Sequence, residues 1–304
     1  MNLGIEERVD LIMTSPPYAL RRKKDYGNVE AHEYVDWFMG FADIFYDILA
    51  PHGSLVIDIG GSWKKGMPTR SLYHYQLLLE LCNPNRDKHF HLAQDLFWYN
   101  PSKLPAPAEW VTVRRIRVKD AVECIWWLSK SPFPQANNRK VLTEYSDSMK
   151  ELHRNGYKAK LRPSGHDISE KFSRVNEGAI PPNLLQIANT ESNSRYLRKC
   201  REKGLKPNPA RFPDGLPEFF IKLLTREGDL VVDPFAGSNV TGAVAEGLGR
   251  RWLGIELIEE YLEGSKFRFL KISDGKMNRT YQSKFKGQER YTGEKRRSDG
   301  PPKP

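Results

Sequence analysis

Short, uninterrupted apolar runs recur along the chain and are separated by turns rich in glycine and proline. Runs of this kind are typical of strands buried on both faces of a parallel sheet. We predict such strands at residues 9–13, 54–59, 89–99, 121–128, 230–233 and 252–256. The sheet is therefore expected to form a well-buried centre of the protein.

Between several of these runs the apolar residues recur at helical spacing. We predict helices at residues 32–49, 71–82, 217–225, 240–248 and 258–270. A strand, a helix and a second strand in succession favour parallel strands joined by a right-handed crossover. The pattern thus predicts an α/β protein with a doubly wound, mostly parallel sheet.

Residues 130–209 do not follow this pattern, because prolines, asparagines, serines and basic residues replace the periodic apolar positions. The segment is too long for an ordinary loop and is either disordered or an inserted module. Its aromatic and aliphatic clusters favour an ordered module. We divide the chain into a first half-domain (1–129), an inserted region (130–209), a second half-domain (210–272) and a basic tail predicted to be disordered (273–304).

The charge balance bears on the choice of partner. The chain has 48 Lys and Arg residues and 38 acidic ones, which gives a net charge of +10. Such an excess favours polyanionic partners such as nucleic acid. Cys82, Cys124 and Cys200 lie far apart, which argues against a disulfide framework or a metal site and fits the reducing cytoplasm. With no long apolar stretch or signal pattern, we expect a soluble protein without a membrane partner.

The first candidate site is the elbow Ser15, Pro16, Pro17 and Tyr18, directly after the first predicted strand. Two successive prolines lack N–H groups and cannot continue a parallel ladder. The elbow places a hydroxyl, fixed carbonyls and an aromatic ring at a strand's carboxyl end, where ligands bind in open α/β sheets. Chemistry on the exocyclic amine of a flipped base needs such groups. The alternative is a structural turn anchored by Tyr18.

Four consecutive cations follow the elbow: Arg21, Arg22, Lys23 and Lys24. Placed beside the chemistry, they would contact DNA phosphates. The alternative is a solvated loop.

The second candidate site follows the strand at 230–233. It begins at the acid closing that strand, continues through a small-residue turn into a helix, and includes the acid that closes the next strand. Its residues are Asp233, Pro234, Phe235, Ala236, Gly237, Ser238, Asn239 and Glu256. The N–H groups at the start of the helix would point at the polar end of a bound nucleoside. Glu256 would accept hydrogen bonds from its two ribose hydroxyls. The alternative is an ordinary strand–turn–helix with a satisfied acid.

Together these motifs resemble the beta group of amino-methylating DNA methyltransferases, across roughly residues 8–272. Residues 162–168, 180–186 and 101–105 further resemble the PvuII-type cytosine-N4 enzymes. The resemblance implies the S-adenosylmethionine-dependent methyltransferase fold, a target-recognition region at 130–209, and S-adenosyl-L-methionine as cofactor. It also implies cofactor contacts from Phe212 and Pro213, and DNA contacts from Ser164, Gly165 and His166.

The resemblance further implies action on the inner cytosine of CAGCTG in double-stranded DNA, as a monomer paired with a cognate restriction endonuclease. Cytosine would stack on Tyr18 while Ser15 Oγ and the Pro16 carbonyl accept its amine N–H bonds. Two departures stand out. Asn239 occupies a position that is usually glycine, and little precedes the first strand, so the chain is expected to begin internally relative to its relatives, with a more open cofactor pocket.

Four other functions are weighed against this one. An adenine-N6 methyltransferase is the nearest, although Ser15 stands where the adenine enzymes commonly carry Asp or Asn. A cytosine-C5 enzyme needs a cysteine after proline, and none of the three cysteines follows one. A protein or RNA methyltransferase normally places its glycine motif first, whereas in this chain the glycine turn follows the elbow. A basic DNA-binding protein without catalysis is the alternative of another class.

Overall fold

The computed structural model describes residues 8–19, 29–156, 160–161, 167–168, 176–190 and 194–269. The strands are β1 (Val9–Thr14), β2 (Leu49–Ile59), β3 (His91–Tyr99), β4 (Val122–Ser129), β5 (Lys160–Leu161), β6 (Asp167–Ile168), β7 (Leu184–Gln186), β8 (Leu230–Asp233) and β9 (Arg251–Gly254). The helices are α1 (Tyr34–Ile48), α2 (Tyr73–Leu81), α3 (Asp147–Asn155), α4 (Arg195–Glu202), α5 (Gly215–Leu224), α6 (Val240–Gly247) and α7 (Glu259–Ser265). A π-helix covers Glu109–Val113, and 3-10 helices cover Asn138–Val141 and Lys266–Arg268.

Seven strands form one sheet in the order β7-β3-β4-β2-β1-β8-β9. The pairs β1–β2, β1–β8, β8–β9 and β3–β7 are parallel, whereas β4 runs antiparallel to both β2 and β3. The predicted α/β fold with a mostly parallel sheet is therefore confirmed. Because β1 lies beside both β2 and β8, the two halves of the chain share one sheet.

Helices cover both faces of the sheet, which is why its strands read as continuous apolar runs. Along β1, Ile12 joins the core beneath α1 and α2, while its neighbours Leu11 and Met13 join the core beneath α5 and α6. This alternation is the period of two that a strand imposes on its side chains. The elbow at the end of β1 is thus held on a rigid, doubly covered strand.

The main difference from the predicted elements lies at the start of β2. Pro51, His52 and Gly53 fall between the predicted helix at 32–49 and the predicted strand at 54–59, but they belong to the strand. The pairing of β1 with β2 shifts register between Val9 and Leu11, so this irregular stretch fits without breaking the strand. The last strand also ends earlier than predicted, at Gly254.

The division of the chain into a separate region at 130–209 stays a prediction. In the structure β7 pairs with β3 at one margin of the sheet, and α4 contacts α7. The predicted DNA contacts at 21–24 and 164–166, and the tail at 273–304, lie outside the described residues. Within the described part of the chain, no helix has the length and apolar character needed to cross a membrane.

Candidate active site

The two candidate motifs lie side by side because their strands are neighbours. Leu11 and Ile12 of β1 pair in parallel with Val231 and Val232 of β8, so both carboxyl ends reach the same edge of the sheet. Tyr18 and Gly237 therefore follow the ends of neighbouring strands. The site is built where the first and second halves of the chain meet.

A buried hydrogen bond joins the two strand ends directly. Thr14, the last residue of β1, donates its hydroxyl to Asp233 Oδ1 at 2.8 Å. Asp233 Oδ2 accepts from the Thr241 hydroxyl at 2.7 Å, and Oδ1 also accepts from the Phe235 N–H at 3.1 Å. Burial raises the pKa of Asp233 to about 6, although these hydrogen bonds oppose the rise. Asp233 therefore fixes the turn against β1, and its contact with a cofactor stays a prediction.

The turn itself depends on two left-handed residues. Gly237 has φ +55°, and a Cβ there would lie 2.0 Å from Asn208 Nδ2. Asn239 has φ 55° and ψ 48°, and its side chain accepts the Gly242 N–H at 3.1 Å to cap α6. Asparagine tolerates this conformation better than most residues. Asn239 can therefore replace the usual glycine, and it adds a helix cap.

Glu256 closes the turn from a position just after β9. Its Oε2 accepts the Gly237 N–H at 2.7 Å, and its Oε1 accepts the Ile258 N–H at 2.8 Å. Each carboxylate oxygen has two lone pairs, so a half-buried Glu256 keeps acceptor capacity for ribose hydroxyls. These groups fit a nucleoside-bearing cofactor.

The remaining predicted cofactor residues surround the turn. Arg268 donates to the Ser238 carbonyl at 2.8 Å and to its hydroxyl at 3.0 Å. Phe235 packs its ring against Phe41 of α1, with ring centroids 5.3 Å apart. Phe212 lies half-buried against the core beneath α5, and Pro213 is buried. Their roles as cofactor contacts stay predictions.

The elbow holds its polar groups in a chain of hydrogen bonds. Tyr18 donates its hydroxyl to Glu123 Oε2 at 2.7 Å, and Ser15 Oγ lies 3.2 Å from the Tyr18 oxygen. Because the Tyr18 proton points to Glu123, Ser15 is the donor in the second bond. Lys103 Nζ in turn lies 2.5 Å from Glu123 Oε1. Tyr18 also packs so closely on Gly60 that any side chain there would collide with its ring.

Asp58 is a further member of the site that the sequence reasoning missed. It lies near the end of β2 with 1% of its surface exposed. Among the described residues, its buried Oδ1 has no hydrogen-bond partner. Burial, and then the charge of Glu123, raise the pKa of Asp58 well above its usual range, while Lys103 and hydrogen bonds from Tyr18 and Ser15 oppose the rise. An acid near the end of an apolar strand was the available signal, the same one that revealed Asp233.

Glu123 and Lys103 were missed as well, and their sequence signals were weaker. Glu123 lies in β4, whose antiparallel pairing of Cys124 with Ile59 brings it beside the end of β2. Lys103 comes from the proline-rich loop after β3, a segment that carried part of the family resemblance but was given no site role. The structure therefore gathers Ser15, Tyr18, an acid with one unpartnered oxygen and an ion pair at one strand edge. Polar groups with unmet hydrogen-bonding capacity beside an aromatic ring suit a polar, planar ligand.

Comparison with known proteins agrees with this geometry. A family model described as DNA methylase matches residues 9–267. The type II methyltransferase M.PvuII of Proteus hauseri is 52% identical over 288 residues, which cover 93% of this chain and 85% of the relative. The solved PvuII DNA methyltransferase (cytosine-N4-specific) superposes with a TM-score of 0.70 at 47% identity, over 88% of this chain and 81% of that one. The M1.HpyAVI–SAM complex has a TM-score of 0.50 at 19% identity, over 88% of this chain and 92% of that one, and shows a shared fold alone.

Proposed function

The chain belongs to the DNA methylase family, and on this premise we propose that it methylates the exocyclic N4 of cytosine in a short duplex DNA site. S-adenosyl-L-methionine is the methyl donor of this enzyme class. The observation that carries the proposal is the Thr14–Asp233 bond, which holds the amine-binding elbow beside the glycine turn. A cofactor on the turn and a base on the elbow would meet at one strand edge.

The elbow is suited to orient a weak nucleophile. The amine of cytosine is a poor nucleophile because its lone pair delocalises into the ring. Ser15 Oγ and the Pro16 carbonyl accept its N–H bonds, and Tyr18 stacks on the base. These contacts hold the nitrogen in one orientation and stabilise the positive charge that develops on it. Bound S-adenosylmethionine supplies an electrophilic methyl group on a sulfonium.

A proton must leave the amine once its nitrogen carries the new methyl group. In the reacting complex Ser15 can accept an N–H while its hydroxyl proton turns from Tyr18 to Asp58, whose hydrogen bonding with Ser15 and Tyr18 lowers its pKa against burial. A carboxylate whose pKa is raised is a stronger proton acceptor than an exposed one. Asp58 is therefore the terminal acceptor for the proton, through Ser15 or directly.

Cytosine is favoured over adenine by Ser15, and by the similarity to a relative that is cytosine-N4-specific. The same likeness supports CAGCTG as the target, with the inner cytosine modified. We also propose contacts of S-adenosylmethionine with Glu256 and the 233–239 turn, a recognition role for residues 130–209, action as a monomer in the cytoplasm, and a cognate restriction endonuclease. The adenine-N6 reaction remains the second candidate, because one elbow serves both amines.

The test is methylation of plasmid and oligonucleotide DNA, followed by digestion with a panel of restriction enzymes and mass spectrometry of the nucleosides. We expect N4-methylcytosine and protection at CAGCTG. N6-methyladenine in its place would favour the second candidate. Calorimetry with S-adenosylhomocysteine separates both from a DNA-binding protein without catalysis, which would bind duplex DNA but no cofactor.

A further inference from the structure

Two exposed basic segments flank the elbow at the carboxyl edge of the sheet. The basic loop, residues 64–70, follows β2, and the basic arm, residues 112–119, precedes β4. Since β4 runs antiparallel to β2, the beginning of β4 lies where β2 ends. Together the two segments contain seven Lys and Arg residues and no Asp or Glu.

The basic loop and the basic arm are tied into one surface. Asp120, just after the arm, accepts from Trp63 Nε1 at 2.7 Å and from Arg70 at 2.9 Å. Arg117 of the arm donates its Nε–H to the Pro68 carbonyl at 3.0 Å. Because a carboxylate and a carbonyl fix the loop to the arm, their cations are held as a group.

This surface is continuous with the active site. Lys119, at the end of the arm, donates to the Lys103 carbonyl at 3.1 Å. Lys103 pairs with Glu123 at 2.5 Å, and Glu123 accepts the Tyr18 hydroxyl at 2.7 Å. Three successive contacts thus lead from the basic arm to the ring on which the target base would stack.

Arg70 and Arg114 pair with Asp120 and Glu109, but the other five cations of this surface have no acidic partner in the described part of the chain. Among the described residues, no carboxylate forms an ion pair with the following cations: Lys64, Lys65, Arg115, Arg117 and Lys119. Arg115 also has φ 57°, a strained conformation for a residue with a side chain. Between the cations, Val113 and Val118 are 68% and 85% exposed. Cations interleaved with exposed aliphatic groups match phosphates and the apolar faces of sugars in a nucleic acid groove.

We propose that the basic loop and the basic arm bind the phosphate backbone of duplex DNA beside the flipped base, an inference that rests on the proposed function. Each phosphate contact releases condensed counterions and makes affinity depend on salt. The surface would place the duplex so that the target base reaches Tyr18. It adds a second source of DNA affinity to the predicted contacts at 21–24 and 164–166.

The test measures the affinity of the full chain for a duplex containing CAGCTG between about 50 and 200 mM KCl. Two variants are compared with the wild type: Lys64→Gln/Lys65→Gln in the loop, and Arg115→Gln in the arm. The slope of log affinity against log salt is negative. We expect its magnitude to fall by about 0.9 for each phosphate contact removed. Binding of S-adenosylhomocysteine should stay unchanged.

Two controls make the result specific. Arg115→Lys keeps the charge and should keep the slope. Lys88→Gln/Arg226→Gln removes one half-exposed and one exposed cation that precede β3 and β8, at the opposite edge of the sheet, and should leave it unchanged. A wild-type slope in both basic variants, or an equal fall in the opposite-edge control, would overturn the proposal. Because the assay measures binding alone, its outcome is independent of the methylation test.

Discussion

Tyr18 donates its hydroxyl to Glu123 across 105 positions of sequence, with 2.7 Å between the two oxygens. The bond fixes the rotation of the ring that would stack on cytosine. Lys103, 2.5 Å from the other Glu123 oxygen, holds the carboxylate in turn. Glu123 is therefore a positioning residue whose effect on the reaction passes through Tyr18.

This relationship predicts strong coupling between the two residues. Tyr18→Phe and Glu123→Ala should each lower kcat by about tenfold or more, since a hydrogen bond to a charged group is worth about 1.5–3 kcal/mol. The double variant should be no slower than either single variant. Glu123→Gln, which keeps an acceptor, should recover most of the rate. A further loss in the double variant would show that Glu123 does not act through Tyr18.

Removal of the whole ring tests stacking separately from the hydroxyl. Tyr18→Ala should lose about 1–3 kcal/mol of interaction with the flipped base. The measurement is single-turnover methylation of a duplex oligonucleotide, with Tyr18→Phe as the matched control that keeps the ring. Unchanged methylation in Tyr18→Ala would contradict the proposed role of the ring.

If Asp58 accepts the proton, the methylation rate should fall on the acidic side of its pH profile. Only the deprotonated carboxylate accepts a proton, and burial raises its pKa, so the rate should fall with decreasing pH well above the range near 3.9 of an ordinary aspartate. Asp58→Asn should lower kcat by about a hundredfold or more and abolish that fall in rate. Retained binding of S-adenosylhomocysteine would show that the variant is folded. A wild-type pH profile in Asp58→Asn would exclude this acceptor.

The raised pKa of Asp233 should make the free energy of unfolding depend on pH. Its pKa is about 6 in the folded protein, above the value near 3.9 expected when unfolded, so the folded state binds the extra proton. Its contribution is fully present below about pH 4 and is lost as the pH rises towards 6, by about 3 kcal/mol. Urea unfolding of wild type and Asp233→Asn should therefore differ by an amount that changes across this window. A constant difference would contradict the shifted pKa.

Asn239 predicts a contrast between two substitutions. Asn239→Gly keeps the left-handed backbone and loses only the cap, so it should cost a few tenths of a kcal/mol. Asn239→Ala loses the cap and adds strain, so it should cost about 2 kcal/mol. Denaturant midpoints of the two variants measure the difference. Equal losses would show that the left-handed conformation is not what selects asparagine.

The sequence by itself determined the six central strands, five of the helices and the positions of both candidate motifs. Continuous apolar runs identified the buried strands, because a strand covered on both faces needs no polar positions. The two prolines after Ser15 identified the elbow, because they end a ladder of hydrogen bonds. Reading both motifs as ends of parallel strands placed Tyr18 and Gly237 at the same edge of the sheet.

Only the tertiary structure decided which distant side chains complete the site. Asp58, Lys103 and Glu123 reach Tyr18 through the pairing of β2 with an antiparallel β4, and no local pattern encodes that neighbour. Thr14 and Asp233 likewise meet across 219 positions because β1 lies beside β8. Local periodicity reports which face of an element is buried, whereas strand order arises from packing of the whole chain. The polar partners of the elbow could therefore be known only from the folded protein.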